Sequence, residues 1–115
     1  MSLSRWTPRA TSTQAGAAIS QLAIDPIEWR DLAQDIAAAG GRLLALWGTS
    51  RVGQSDTLHA VAVAPPRVLL ISFPIADGTR QYPGVGDVFP SARRMQRAVF
   101  DLCGLRSTDH DARPW

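Results

Sequence analysis

Apolar positions along the chain follow two different periods. At Ile27, Trp29, Leu32, Ala33 and Ile36 they recur every three to four residues, the spacing that lines one side of a helix. The helix start is marked by Asp25 as a cap, Pro26 at the first position and Glu28 at the third. Asp25, Glu28 and Asp31 also suit the positive end of the helix dipole. Gly40-Gly41 ends the segment, because glycine accepts the left-handed conformation that a helix terminus needs. Three strand-like runs follow, Arg42 to Thr49, Thr57 to Ala64 and Arg67 to Phe73. Arg51 to Asp56 provides turn chemistry between the first two, and Pro65-Pro66 forces a sharp link between the second and third. Links this short predict antiparallel neighbours. In the middle run His59, Val61 and Val63 face one way and Leu58, Ala60 and Ala62 the other, which predicts a sheet covered on both sides. A second helix is predicted from Ser91 to Cys103, with the stripe Ala92, Met95, Val99, Leu102 and the terminator Gly104.

The weaker signals lie at the ends and in the middle. Ile19 to Ile24 alternates and reads as a short strand. Pro74 to Pro90 holds three prolines and three glycines around Tyr82, Val85, Val88 and Phe89, a structured loop with one helical turn at Val85 to Phe89. Of the scattered tryptophans Trp6, Trp29, Trp47 and Trp115, Trp29 and Trp47 read as core. The expected fold is α+β, with a three- to four-stranded, mainly antiparallel sheet and two main helices. The expected division is a flexible lead-in at 1–18, the domain at 19–105 and an irregular tail at 106–115.

A length of 115 residues suits one modest core, and 45% apolar with 19% charged residues suits a globular domain. No apolar run reaches the roughly 18 residues of a membrane span, and the first 18 residues do not read as a secretory signal. With Cys103 as the only cysteine no internal disulfide forms, so an intracellular setting is the default. All twelve basic residues are arginine, yet the formal charge is only +2, so the high pI does not signal a large positive field.

Candidate chemistry is sparse. Asp109-His110-Asp111 carries metal-compatible donors, but adjacent residues rarely chelate one ion, and tail solvation is the simpler reading. His59 has no paired acid or nucleophile in the sequence. Cys103 sits near a helix C-terminus, away from the electropositive setting that activates a thiol. Gly84-x-Gly86 lacks the strand–turn–helix context of a phosphate loop. The second helix is the unusual element. Arg93, Arg94 and Arg97 lie near its N-terminus and Asp101 near its C-terminus, against the dipole, at about 0.3–1 kcal/mol per charge. An Arg97–Asp101 pair returns only about 0.2–0.5 kcal/mol. Either the face is solvated and tolerates this cost, or carboxylates of a partner complete it.

The run Tyr82-Pro83-Gly84-Val85-Gly86-Asp87-Val88-Phe89-Pro90-Ser91-Ala92, continuing through Arg97, Asp101, Cys103, Gly104 and Leu105, resembles the signature of the C-subunit family of respiratory complex I, the NADH:quinone oxidoreductase. That signature is a proline-led turn, an aspartate, an aromatic-proline step and then A-x-W-x-E-R-E-x-x-D-x-F-G-I. Arg97, Asp101 and Gly104 match it. Arg94 stands at its tryptophan, Gln96 and Ala98 at its glutamates, and Cys103 at its phenylalanine. Arg113-Pro114-Trp115 looks more like the homologous domain ahead of the large subunit of energy-converting [NiFe] hydrogenases of the formate hydrogenlyase type. The resemblance implies the α+β fold of that family, no catalysis by the chain itself and no cofactor. It also implies a cytoplasmic place, peripheral to the inner membrane through partner subunits. The implied partner is the hydrogenase-like large subunit, separate or fused, met through Tyr82, Pro83, Asp87, Phe89, Pro90, Arg93, Arg94, Arg97, Asp101, Gly104, Asp111 and Arg113. In isolation, a homo-oligomer covering that face is compatible with this reading, and the sequence does not set the oligomeric state. The competing reading is a basic nucleic-acid-binding module, motivated by the arginine cluster and opposed by the small net charge.

Overall fold

A computed structural model describes residues 6, 11–12, 19–50, 53, 55–65, 67–75 and 78–109. The elements are β1 (Thr11–Ser12), β2 (Ile19–Ala23), a 3-10 turn (Pro26–Glu28), α1 (Trp29–Ala38), β3 (Arg42–Thr49), β4 (Thr57–Ala64), β5 (Arg67–Pro74), β6 (Gln81–Tyr82), α2 (Ala92–Cys103) and β7 (Arg106–Ser107). The fold is α+β: two helices lie on a mixed sheet of order β1-β2-β5-β4-β3, while β6 and β7 form a separate two-stranded pair. The short links act as expected, since β3–β4 and β4–β5 are antiparallel and Ala64 pairs with Arg67 across the proline link. Within the larger sheet the parallel pair is β2–β5, because the connection through α1 carries the chain across to the far edge before β4 and β5 return.

The first helix starts differently from its sequence signal. Pro26 and its neighbours form a 3-10 turn in which the Glu28 carboxylate accepts the Asp25 N–H at 3.0 Å, and the α-helix proper begins at Trp29. Ile27, placed on the apolar stripe by its spacing, is therefore exposed. The stop is as read: Gly40 has φ +81°, and a Cβ on Gly41 would overlap the Val63 carbonyl oxygen. That close approach seats the end of α1 directly on β4.

Both helices cover the same face of the sheet. Leu22, Leu43, Leu46, Leu58, Ala60, Ala62, Leu69, Ile71 and Phe73 are buried beneath Trp29, Leu32, Ala33 and Ile36 of α1 and Ala92 and Val99 of α2. The Trp29 and Phe73 rings meet at 5.7 Å. The expectation of a sheet covered on both sides is corrected: the opposite face, with His59, Val61, Val63, Val68 and Leu70, is only partly buried. Trp47 lies on that open face, 39% exposed and stacked on His59, and is not core. The second buried tryptophan is Trp6, whose Nε1 donates to Asp35 Oδ2 at 2.7 Å. Alternation could not reveal the one-sided cover, because apolar side chains occupy both faces of β4.

The free edge at β3 is guarded. A bulge between Leu43 and Ala45 breaks its register, and the Cys103 thiol at the end of α2 donates to the Gly48 carbonyl at 3.6 Å. Among the described residues no helix is long and apolar enough to cross a membrane.

Trp6→Phe keeps most of the buried ring area but deletes the N–H bonded to a buried carboxylate. It should lower unfolding free energy by about 1–3 kcal/mol, read from the urea midpoint at unchanged m-value. An unchanged midpoint would mean that the clamp onto α1 contributes nothing.

Candidate docking surface

The loop from Pro83 to Pro90 joins β6 to α2 and is held from three directions. From α1, Arg30 Nη1 donates to the Gly84 carbonyl at 2.5 Å, and the guanidinium grips Asp87 through both nitrogens at 2.8 and 2.7 Å. From α2, the buried Gln96 carboxamide accepts the Val85 N–H at 2.9 Å and donates to Asp109 Oδ1 at 2.9 Å and Ser107 Oγ at 3.4 Å. From the segment after β7, Asp109 Oδ2 accepts the Gly86 N–H at 3.0 Å and Thr108 Oγ1 accepts the Gly84 N–H at 3.1 Å. The two glycines have a steric reason: a Cβ on Gly84 would overlap the Asp109 carboxylate, and one on Gly86 would come within 2.8 Å of Arg93 Cγ. Between them Val88 and Phe89 N–H groups return to the Val85 carbonyl, the single helical turn expected there.

The charges follow from this geometry. The Arg30 hydrogen bond holds the Asp87 carboxyl down at about 2, well below the usual carboxylate range, and Asp87 in turn raises the Arg30 guanidinium. Burial pushes the Tyr82 phenol up, with Asp109 and Cys103 adding to the effect. Asp109, read from the sequence as a solvated tail residue with metal-compatible neighbours, spends both oxygens on Gln96 and Gly86. His110 and Asp111 lie outside the described residues.

The residues expected at an interface divide by position. Tyr82 and Phe89 are buried inside the domain and support the loop from beneath. Pro83 is partly buried, while Asp87 and Pro90 form the loop's exposed rim. Arg93 and Arg94 are exposed on the first turn of α2, and their side chains make no hydrogen bond or ion pair with other described residues. Arg97 Nε lies 3.8 Å from Asp101 Oδ2, a loose i,i+4 pair on the same helix face. Gly104 takes φ +72° to end α2, with Arg80 donating to the neighbouring Cys103 carbonyl at 2.6 Å. Arg113, like Asp111, lies outside the described residues.

Of the apolar stripe expected on α2, Ala92 and Val99 are buried and Met95 packs against the core, whereas Leu102 is 85% exposed; the buried arc runs instead through Gln96, with Cys103 packed beside it. Gln96 escapes a hydrophobic pattern because its side chain is polar. Arg30 escapes it because its partners are 54 and 57 residues away. The one hint in the sequence is Gln96 standing where the related signature has glutamate.

A glutamate at position 96 could still accept the Val85 N–H, but it would set a second carboxylate against Asp109. Gln96→Glu should therefore destabilise the domain by about 1–3 kcal/mol at pH 7. The introduced carboxyl would have a raised folded-state pKa, so the deficit should shrink as pH falls through that pKa toward about 4, and thermal melts across pH 4–8 would show it. A pH-independent deficit would rule out the charge conflict. Asp87 carries the opposite sign. Its lowered pKa stabilises the fold above about pH 4 and is lost as pH falls toward 2, so Asp87→Asn should flatten the stability profile between pH 4 and 2 by less than about 1 kcal/mol. An acid limb as steep as that of the parent protein would remove Asp87 from the account.

No protein-family model matches the chain, and no curated protein sequence does. Solved structures match in fold. A trypsin-resistant fragment of Nqo5, residues 1–134, superposes with a TM-score of 0.75 at 15% identity over 96% of both chains. A chain of the membrane-bound sulfane sulfur reductase, an archaeal respiratory membrane complex, superposes with a TM-score of 0.74 at 16% identity, over 98% of this chain and 71% of that one. Nqo5 is a complex I subunit, so the fold described here is one found in subunits of respiratory membrane complexes.

Proposed function

We propose that the chain is a non-catalytic docking domain of a membrane-associated redox complex, of the NADH:quinone oxidoreductase or energy-converting hydrogenase type. In this reading it binds the hydrogenase-like large subunit, in the cytoplasm and peripheral to the membrane through its partners. The observation that carries it is a coincidence of two independent signals. The fold recurs in subunits of respiratory membrane complexes, and the 82–105 stretch that resembles the complex I signature folds into one locked loop-and-helix unit.

The locking is what a docking element requires, because a loop already fixed in its bound shape loses little entropy on association. The exposed rim supplies the chemistry. Asp87, Pro90, Arg93, Arg94, Arg97 and Asp101 border one surface, and two of its arginines have no partner among the described residues. Guanidinium groups on the first turn of a helix oppose its dipole, and carboxylates of the large subunit would offset that cost while forming bidentate contacts.

The test is binding of the full chain to the large subunit encoded with it, measured by interferometry. Arg93→Glu combined with Arg94→Glu should weaken binding at least tenfold without lowering the melting temperature, since acidic side chains suit the positive end of α2. Unchanged affinity would remove the α2 face from the interface. Binding carried by nucleic acid instead would appear as affinity for a DNA or RNA duplex that falls steeply between 50 and 200 mM salt.

A further inference from the structure

The open face of the sheet offers a second surface, separate from the loop and α2 because it lies on the side away from both helices. Cross-strand register fixes its composition. Ile19, Val68 and Val63 form one row, Gln21, Leu70, Val61 and Ala45 the next, and Ala23, Ser72, His59 and Trp47 the third. Leu44 projects from the bulge of β3 and, like Ile19, is 45% exposed. Trp47 is held flat by stacking on His59, whose ring is fixed in turn by Thr49 Oγ1 at 2.9 Å from Nε2. The only formal charge on this face among the described residues is Arg42, which pairs across from Val63, is exposed and has no partner among them. No aspartate or glutamate occurs in β2, β3, β4 or β5.

We infer that this face docks a second, different protein chain, through an apolar surface bordered by a carboxylate that meets Arg42. Two features argue against a second copy of this chain. An isologous dimer sets the same patch against itself, and among the described residues this patch holds a cation with no ion-pair partner and no acid to receive it. The exposed apolar area is also on the order of a few hundred Å², whereas a stable interface of its own buries about 800 Å² per partner. A small apolar patch with one rim charge fits as part of a larger heteromeric contact. A lipid surface is the poorer fit, because binding to anionic membranes draws on clustered basic residues and this face has one among the described residues. With the loop-and-α2 surface on the helical side, the domain would bridge two neighbours. The sheet face keeps its composition whether or not the loop docks anything.

The experiment places a photo-crosslinking residue in the full-length tagged chain, expressed in the cells that encode it, as Trp47→p-benzoylphenylalanine in one strain and Arg94→p-benzoylphenylalanine in another. The Trp47 probe should crosslink to a stoichiometric partner chain, mapped by mass spectrometry to an apolar segment with an aspartate or glutamate beside it. Arg42→Glu should lower association with that chain at least tenfold without changing the circular dichroism spectrum, and changing the mapped acid to arginine should restore it. Crosslinking to another copy of this chain would overturn the inference. So would no crosslink, an Arg42→Glu variant that binds normally, or co-flotation with phosphatidylglycerol vesicles that Trp47→Glu abolishes. If the Arg94 probe alone fails, the proposal for the loop falls and the sheet face stands; if the Trp47 probe alone fails, the reverse holds.

Discussion

The buried carboxamide of Gln96 is the interaction on which the loop from Pro83 to Pro90 and its seat on α2 depend. It gives an acceptor to the Val85 N–H and a donor to Asp109, and Asp109 then reaches the Gly86 N–H. A neutral amide can do both at once; a carboxylate cannot donate, and an apolar side chain can do neither. Through this one group α2, the glycine loop and the segment after β7 become a single unit. A buried polar network of this kind rigidifies only if its members are satisfied, which is why the positions around it tolerate no Cβ at Gly84 and almost none at Gly86.

The Arg30–Asp87 pair extends that unit to α1 across the surface. Its contribution to stability is small because both side chains remain partly solvated, but its geometry is bidentate and adds a third bond to the Gly84 carbonyl. It positions more than it stabilises. The result is a loop whose shape is fixed by two helices and a strand pair while its rim, from Asp87 to Arg94, stays open.

The sheet makes the complementary contribution. Both helices and the Trp6 clamp lie on one face, which leaves on the other an apolar face with a single cation among the described residues. Ala60 and Ala62 on β4 let α1 approach closely, and the Gly41–Val63 approach fixes where it ends. A two-layer domain of this size keeps one sheet face for solvent or for another protein, and the side chains here suit a protein.

The sequence by itself determined the two helices, the strands β2 to β5 and their punctuation, but not the two-residue strands β1, β6 and β7. Gly40 and Gly104 do stop the two helices in the left-handed conformation, the two-proline link does make β4 and β5 antiparallel, and Val85 to Phe89 does form one turn. These are local effects, decided by backbone sterics within a few residues. Only the tertiary structure decided which apolar side chains are core. Trp6 is buried and Trp47 is not, and Leu102 and Ile27 are exposed while Gln96 is buried. The choice turns on which face of the sheet the helices cover, and periodicity is blind to that when both faces of β4 are apolar. The loop's anchors were hidden for a related reason. Arg30 and Asp109 act on residues 54 and 23 positions away, and hydrogen bonds made across such distances leave no trace in spacing along the chain.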